Sequence, residues 1–239
     1  MIEIQNLSKE FSSKIAVKNL NLTVKNGEVF GLLGPNGAGK STTIKMMTGI
    51  LKPTSGDILI DGHSIQSDSL EAKRHFALVS DNPDMFLGLT GLDYLLFIAS
   101  VFRIPENEFK KRVEQYSTDF AMKDSLREVI INYSHGMRQK IFLIGSLIRQ
   151  PDNWILDEPL TGLDPDAAFK VKQHMKDLTL KGKCVLFSTH VLDVAEKICD
   201  RIGILSNGEL KFAGTIEELR QKENIYQGDL ENLFLNLTR

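Results

Sequence analysis

The sequence predicts an α/β fold: a mostly parallel sheet covered by helices on both faces, an N-terminal antiparallel β subdomain and an inserted α-helical lobe. Three observations lead there. An apolar run, Val29-Phe-Gly-Leu-Leu33, feeds a glycine-rich turn that opens a helix. Strand-like runs at 154–156, 184–187 and 202–205 alternate with helical patterns over 166–180 and 191–199. From Thr90 to about Ser146 helical spacing takes over (Leu92, Leu95, Leu96, Ala99, then Phe109, Val113, Tyr116, Phe120), with no run that reads as a buried strand.

Taken in order, Ile2 and Ile4 alternate with polar neighbours, as do Leu20, Leu22 and Val24, which predicts strands with one wet face. After the glycine turn come a strand at 57–60 and a tight hairpin signal at Asp61-Gly62. A short apolar run at 76–79 ends where Pro83 forces a break. Asn207-Gly208 predicts a hairpin, and two short helical patterns, 215–222 and 230–237, close the chain. The expected organisation is one domain over 1–239. Residues 1–80 and 150–210 form the core with its β subdomain, 81–149 the lobe, and 211–239 a C-terminal extension.

Bulk properties restrict the function. The chain has 239 residues, 42% of them hydrophobic and 25% charged, as in ordinary globular proteins. A net charge of -2 gives no electrostatic case for nucleic acid. Cys184 and Cys199 form no C-x-x-C pair and read as buried free thiols of a reducing compartment. No signal peptide is visible at Met1-Ile-Glu-Ile, and the longest apolar run, around 94–102, falls short of the ~20 residues that a membrane span needs.

The chemistry starts at the glycine turn. Gly34, Pro35, Asn36, Gly37, Ala38, Gly39, Lys40, Ser41 and Thr42 match the phosphate-binding pattern G-x-x-x-x-G-K-[ST] in its strand–turn–helix setting. Glycines let the backbone curl its N–H groups around phosphate oxygens, and the helix that follows adds its positive end. Lys40 reaches toward β- and γ-phosphates, and the Ser41 hydroxyl suits one position on Mg²⁺.

A second cluster follows Trp154-Ile-Leu156: Asp157 and Glu158 at a strand end. Ligands of parallel sheets sit at the carboxyl ends of strands, so Asp157 is a candidate Mg²⁺ partner and Glu158 a candidate general base for the attacking water. The same pair also reads as a capping or salt-bridged pair after a core strand. His190 ends the next strand, either as a satisfied structural residue or as a donor to a γ-phosphate oxygen.

In these residues the chain resembles the ATP-binding subunits of ATP-binding cassette (ABC) transporters, whose core is a P-loop NTPase (RecA-like) fold. Tyr133-Ser134-His135-Gly136-Met137 is similar to the family's signature, commonly Leu-Ser-Gly-Gly-Gln. Leu160-Thr-Gly-Leu-Asp164 is similar to its D-loop, His190 matches its switch histidine, and Phe11 falls where the family carries an adenine-stacking aromatic. The resemblance covers nearly the whole chain. It implies ATP and Mg²⁺ as cofactors and hydrolysis of ATP. It also implies a head-to-tail pairing with a second ATP-binding subunit, whose nucleotide would meet Ser134 and Gly136.

The implied partner is a separate transmembrane permease, with the chain peripheral on the cytoplasmic face of the membrane. The 229–237 ending is similar to that of bacterial subunits serving exporters. Tyr94, Phe97 and Phe102 read either as lobe core or as the lining of the permease groove. Two departures stand out: Asp81 occupies the place of a cation-sensing glutamine, where it either binds the metal more tightly or fails to reach it, and the signature has His135 for its usual glycine and Met137 for its usual glutamine. Other readings are a DNA- or ribosome-acting ATPase, which lacks the usual basic extension here, and an ATP sensor without turnover.

Overall fold

The computed structural model describes residues 1–12, 14–222, Phe234 and Leu237. β1 (Ile2–Phe11) and β2 (Lys14–Val24) form a long antiparallel hairpin, and β1 also pairs with β4 (Ser55–Ile60), which turns through Asp61-Gly62 into β5 (His63–Ser64). The order of this sheet is β2-β1-β4-β5. The sequence suggested two separate short strands at the amino end. Register shifts at Ile4/Leu7, Leu7/Lys9 and Lys9/Glu10 break the in–out alternation and hide the hairpin's continuity.

The second sheet uses β3 (Val29–Leu33), β6 (Phe76–Val79), β7 (Asn153–Leu156), β8 (Cys184–Thr189), β9 (Arg201–Ser206) and β10 (Glu209–Gly214). Its order is β10-β9-β3-β8-β7-β6, parallel except for the β9–β10 hairpin at Asn207-Gly208. Strand alternation feeds two cores. Trp154 and Leu156 of β7 join one apolar cluster, whereas Ile155 faces the other with Phe30 and Leu32 of β3. A sheet buried on both faces explains why these strands read as continuous apolar runs.

Helices cover those faces: α1 (Lys40–Met47), α2 (Ser69–Arg74), α6 (Pro165–Leu180), α7 (Leu192–Ile198) and α8 (Ile216–Lys222). Six-residue α2 was not foreseen, because fewer than two turns give no readable period. Between β6 and β7 lie α3 (Gly91–Val101), α4 (Glu106–Asp119), a 3-10 turn at Ile130–Asn132 and α5 (His135–Leu147). α5 buries every residue from Ile141 to Leu147, packing onto the Trp154 face of the sheet. The expected helix at 230–237 lies outside the described residues except for Phe234 and Leu237, which are helical and pack against the cluster around Leu33 and Ile202.

The aromatic residues of α3 divide. Tyr94 is buried edge-on to Phe142 at 5.0 Å, Phe102 lies under the Arg149 guanidinium at 3.4 Å, and Phe97 is exposed. Cys184 is buried in β8 and Cys199 ends α7; both are free, and burial pushes both thiols well above their ordinary pKa.

Candidate functional site

The turn between β3 and α1 is fixed by what surrounds it. Gly39 takes φ 108°, and a Cβ there would meet the Ala16 carbonyl oxygen at 2.6 Å; at Gly34 it would meet the Leu205 carbonyl oxygen at 2.4 Å. Only glycine fits both places, so the loop seats tightly between β2 and β9 while its outer rim, at Asn36 and Gly37, stays exposed. Lys40 is almost wholly buried. Its ammonium donates to the Gly34 carbonyl at 2.7 Å and the Pro35 carbonyl at 3.2 Å, holding the loop as a ring.

That ring borders a cleft of about 390 Å³ lined by Phe11, Pro35, Asn36, Gly37, Gly39, Lys40, Ser41, Thr42, Asp81 and Glu158. Ala38 is buried behind it. Phe11, at the tip of β1, is exposed on the cleft's rim with Lys9 over its ring at 5.0 Å.

Across the cleft the carboxyl ends of β7 and β8 contribute charge. Asp157 is buried, and its carboxyl pKa is raised, first by burial and then by the neighbouring Asp81 and Glu158, although hydrogen bonds from Ser188 and Ser41 oppose the shift. Ser188 ties the acid pair together: its hydroxyl donates to Asp157 Oδ1 at 2.5 Å and accepts the Glu158 N–H at 2.9 Å. Sequence reasoning missed Ser188. The β7–β8 register, Leu156 opposite Phe187, sets the next residues, Asp157 and Ser188, side by side.

Glu158 adopts φ 47°, a left-handed backbone that costs a non-glycine residue about 1 kcal/mol or more. Its carboxylate lies 3.7 Å from the Lys40 ammonium, and His190 Nδ1 sits 3.1 Å from both of its oxygens. A carboxylate only accepts, so Nδ1 carries the proton and His190 is held on Glu158. Both residues also line an adjoining cavity of about 270 Å³ with Asn36, Asp81, His135, Gln139 and Thr161. Thr161 belongs to the 160–164 loop, and Gln139 is a further residue that the sequence did not single out.

The donor set fits a hard cation. Ser41, Asp81 and Asp157 offer only oxygens, and Asp81, Asp157 and Glu158 gather here, so a bound dication would relieve the burden on Asp157.

Ser134 and Gly136 do not line the phosphate-loop cleft. Ser134 caps α5, accepting the Met137 N–H at 3.2 Å. Gly136 abuts the loop after the acid pair so closely that a Cβ would stand 2.8 Å from the Gly162 carbonyl oxygen. Lys140 and Asp164 pair at 2.6 Å across the same contact. The start of α5 therefore rides on the 160–164 loop.

A glycine ring closed by a buried lysine, facing acids at the exits of neighbouring parallel strands, is the architecture of P-loop nucleoside triphosphatases. Comparison with known proteins narrows this class. The family model described as ABC transporter matches residues 17–161. The Bacillus subtilis ABC transporter ATP-binding protein YhcH is 36% identical over 96% of this chain and 73% of its own length. The linearmycin resistance ATP-binding protein LnrL of the same organism is 33% identical over 92% of this chain and 70% of its own.

Among solved structures, an ATP-binding subunit of an ABC transporter superposes with TM-score 0.95 at 32% identity, covering all of both chains. A dimeric, post-hydrolysis state of the ATP-binding cassette MJ0796 with ADP and Pi gives TM-score 0.82 at 26% identity, covering 90% of this chain and 99% of that one. This chain belongs to the ABC transporter family as an ATP-binding subunit, and it is an ATPase. No described helix is long and apolar enough to cross a membrane.

Proposed function

We propose that this chain powers a membrane exporter by closing head-to-tail on a second ATP-binding subunit around two molecules of Mg²⁺-ATP. One observation carries the reading: Ser134 and Gly136 sit at an exposed helix start outside their own chain's phosphate cleft, where backbone N–H groups can serve another chain's anion. In this reading Lys40 and the loop N–H groups bind the β- and γ-phosphates, and Phe11 stacks on the adenine. Ser41, Asp157 and Asp81 hold Mg²⁺, which when bound neutralises phosphate charge. Glu158 takes the proton of the attacking water, and His190 fixes the carboxylate's position through its Nδ1–H.

Closure must drive the permease. To move it from 1:99 to 99:1 between two states, ATP has to favour the closed pair by about 5.5 kcal/mol, within reach of two triphosphates with several charge-assisted hydrogen bonds each. The docking surface in this reading is the segment that follows Asp81, where Met85 and Phe86 are exposed and the Phe86 ring lies 5.6 Å from that of exposed Phe97. Asp84 of that segment pairs with Arg138 of α5 at 2.6 Å, a link between this surface and the signature helix. Export is the reading that the resemblance of the 229–237 ending implies, and the linearmycin resistance in the name of LnrL fits it. The chain then works at the cytoplasmic face of the membrane through its permease.

The test is Glu158→Gln. It should retain ATP, lose turnover and accumulate an ATP-dependent dimer in sedimentation. Unchanged turnover would remove Glu158 as the base, and a monomer at saturating ATP would remove the paired mechanism.

A further inference from the structure

Away from the nucleotide cleft, the β4–β5 turn, α2 and the start of β6 bring two histidines and a glutamate together. His63 opens β5, Glu71 lies on α2, and His75 ends α2 just before β6. The imidazole rings stack with centroids 5.2 Å apart and planes 9° from parallel. One ligand atom from each of His63, Glu71 and His75 lies within 4.8 Å of the others. We infer that these three residues form a binding site for a first-row transition dication, Zn²⁺ foremost, which nothing in the nucleotide chemistry requires.

The outer partners favour this over a chance meeting of charges. Asp68 Oδ2 lies 2.7 Å from His63 Nδ1, and Asp152 Oδ2 lies 3.3 Å from His75 Nδ1. A carboxylate on Nδ1 fixes the tautomer and leaves Nε2 as the lone-pair donor, the arrangement found behind metal-binding histidines. His75 Nε2 already faces Glu71 Oε1 at 3.8 Å. Zn–N and Zn–O bonds of about 2.0–2.2 Å put tetrahedral ligands roughly 3.3–3.6 Å apart, so binding requires one of the two stacked, partly exposed imidazoles to turn until its plane meets the other's. Two imidazoles and one carboxylate select zinc-like ions over Mg²⁺, which prefers oxygen alone.

A rival grouping, Asp61, His75 and Asp152, has the same compactness, but its acids are committed elsewhere. Asp61 holds the Met1 amino group and the Asn153 amide, and Asp152 holds the Lys183 ammonium. Glu71 holds Arg74 at 2.8 Å on its other oxygen, and among the described residues its Oε1 faces His75 of the same cluster, which leaves that oxygen for the metal. Occupancy would clip α2 and β5 to the amino end of β6. The four residues of that strand, about 13 Å, separate this point from the Asp81 end.

The experiment is calorimetric titration of the chelator-stripped, full-length protein with Zn²⁺ in excess Mg²⁺, repeated for His63→Ala and Glu71→Gln. Both substituted side chains are solvent-reachable, and His75, whose carbonyl accepts from Asn153, is left intact. The parent should saturate at one equivalent, with a zinc-dependent rise in melting temperature. Each variant should bind at least about tenfold more weakly and lose that rise, and Asp68→Asn should weaken binding about tenfold. No uptake by the parent, uptake unchanged in His63→Ala and Glu71→Gln, or uptake lost instead with His135→Ala would overturn the site.

Discussion

The two edges of the six-stranded sheet use the same strands for opposite purposes. β6, β7 and β8 start directly after His75, Asp152 and Lys183, and they end near Asp81, Asp157 with Glu158, and His190. At the starting edge, charges are matched within the chain. Burial works to raise the Asp152 pKa, but hydrogen bonds and charge from Lys183 and His75 outweigh it and hold it below the usual carboxylate range. At the finishing edge, burial and two more acids leave Asp157 raised. The Asp152 carboxylate at one edge is matched by its own chain's cations, and the Asp157 carboxylate at the other is not. Unbalanced charge on a rigid frame is thus the better guide to function than charge alone.

This contrast can be attacked from both sides. The largest effect is expected at the finishing edge, where Glu158→Gln should lower turnover by a factor of about 100 or more, measured as phosphate release. Next, Lys40→Ala removes a charge-assisted contact worth about 1.5–3 kcal/mol, so nucleotide affinity should fall roughly 10- to 100-fold in equilibrium binding. If it does not, the cleft is misread.

Asp157→Asn should lower turnover by less than Glu158→Gln does, yet raise the melting temperature of the nucleotide-free chain, since it deletes a carboxylate that the fold disfavours ionised. The pH dependence has the matching signs. Asp157, raised in the folded state, gives back stability as pH falls from its folded pKa toward the unfolded value near 3.8. Asp152, lowered, contributes stability above that value and loses it as pH falls through its folded pKa. Melting curves from about pH 7 to about pH 3 should therefore lose the acid-side gain in Asp157→Asn and the acid-side loss in Asp152→Asn. The smallest effect belongs to Lys183→Ala. This half-exposed ion pair is worth about 0.5 kcal/mol, and turnover per folded molecule should be unchanged.

Legibility in the sequence followed the same division. The phosphate loop was readable because pattern and context occupy one contiguous stretch, from Val29 to Thr42. Asp157, Glu158 and His190 were readable as polar residues ending apolar strands. Phe11 came only through resemblance, since nothing local tells a rim aromatic from a core one. Ser188 was invisible because its role depends on the register between two strands far apart in sequence. The starting edge went unread for a stronger version of that reason: Met1, Asp61, His75, Asp152 and Lys183 come from five separate segments, and none carries a motif.

The φ of 47° at Glu158 has a cost that outlasts any single turnover. A glycine there would relax the backbone by about 1 kcal/mol, add a similar entropy to the unfolded chain, and remove the carboxylate that faces Lys40 and His190. The strained residue is the same one whose carboxylate meets Lys40 and His190, so the aim of one side chain is set at the backbone's expense.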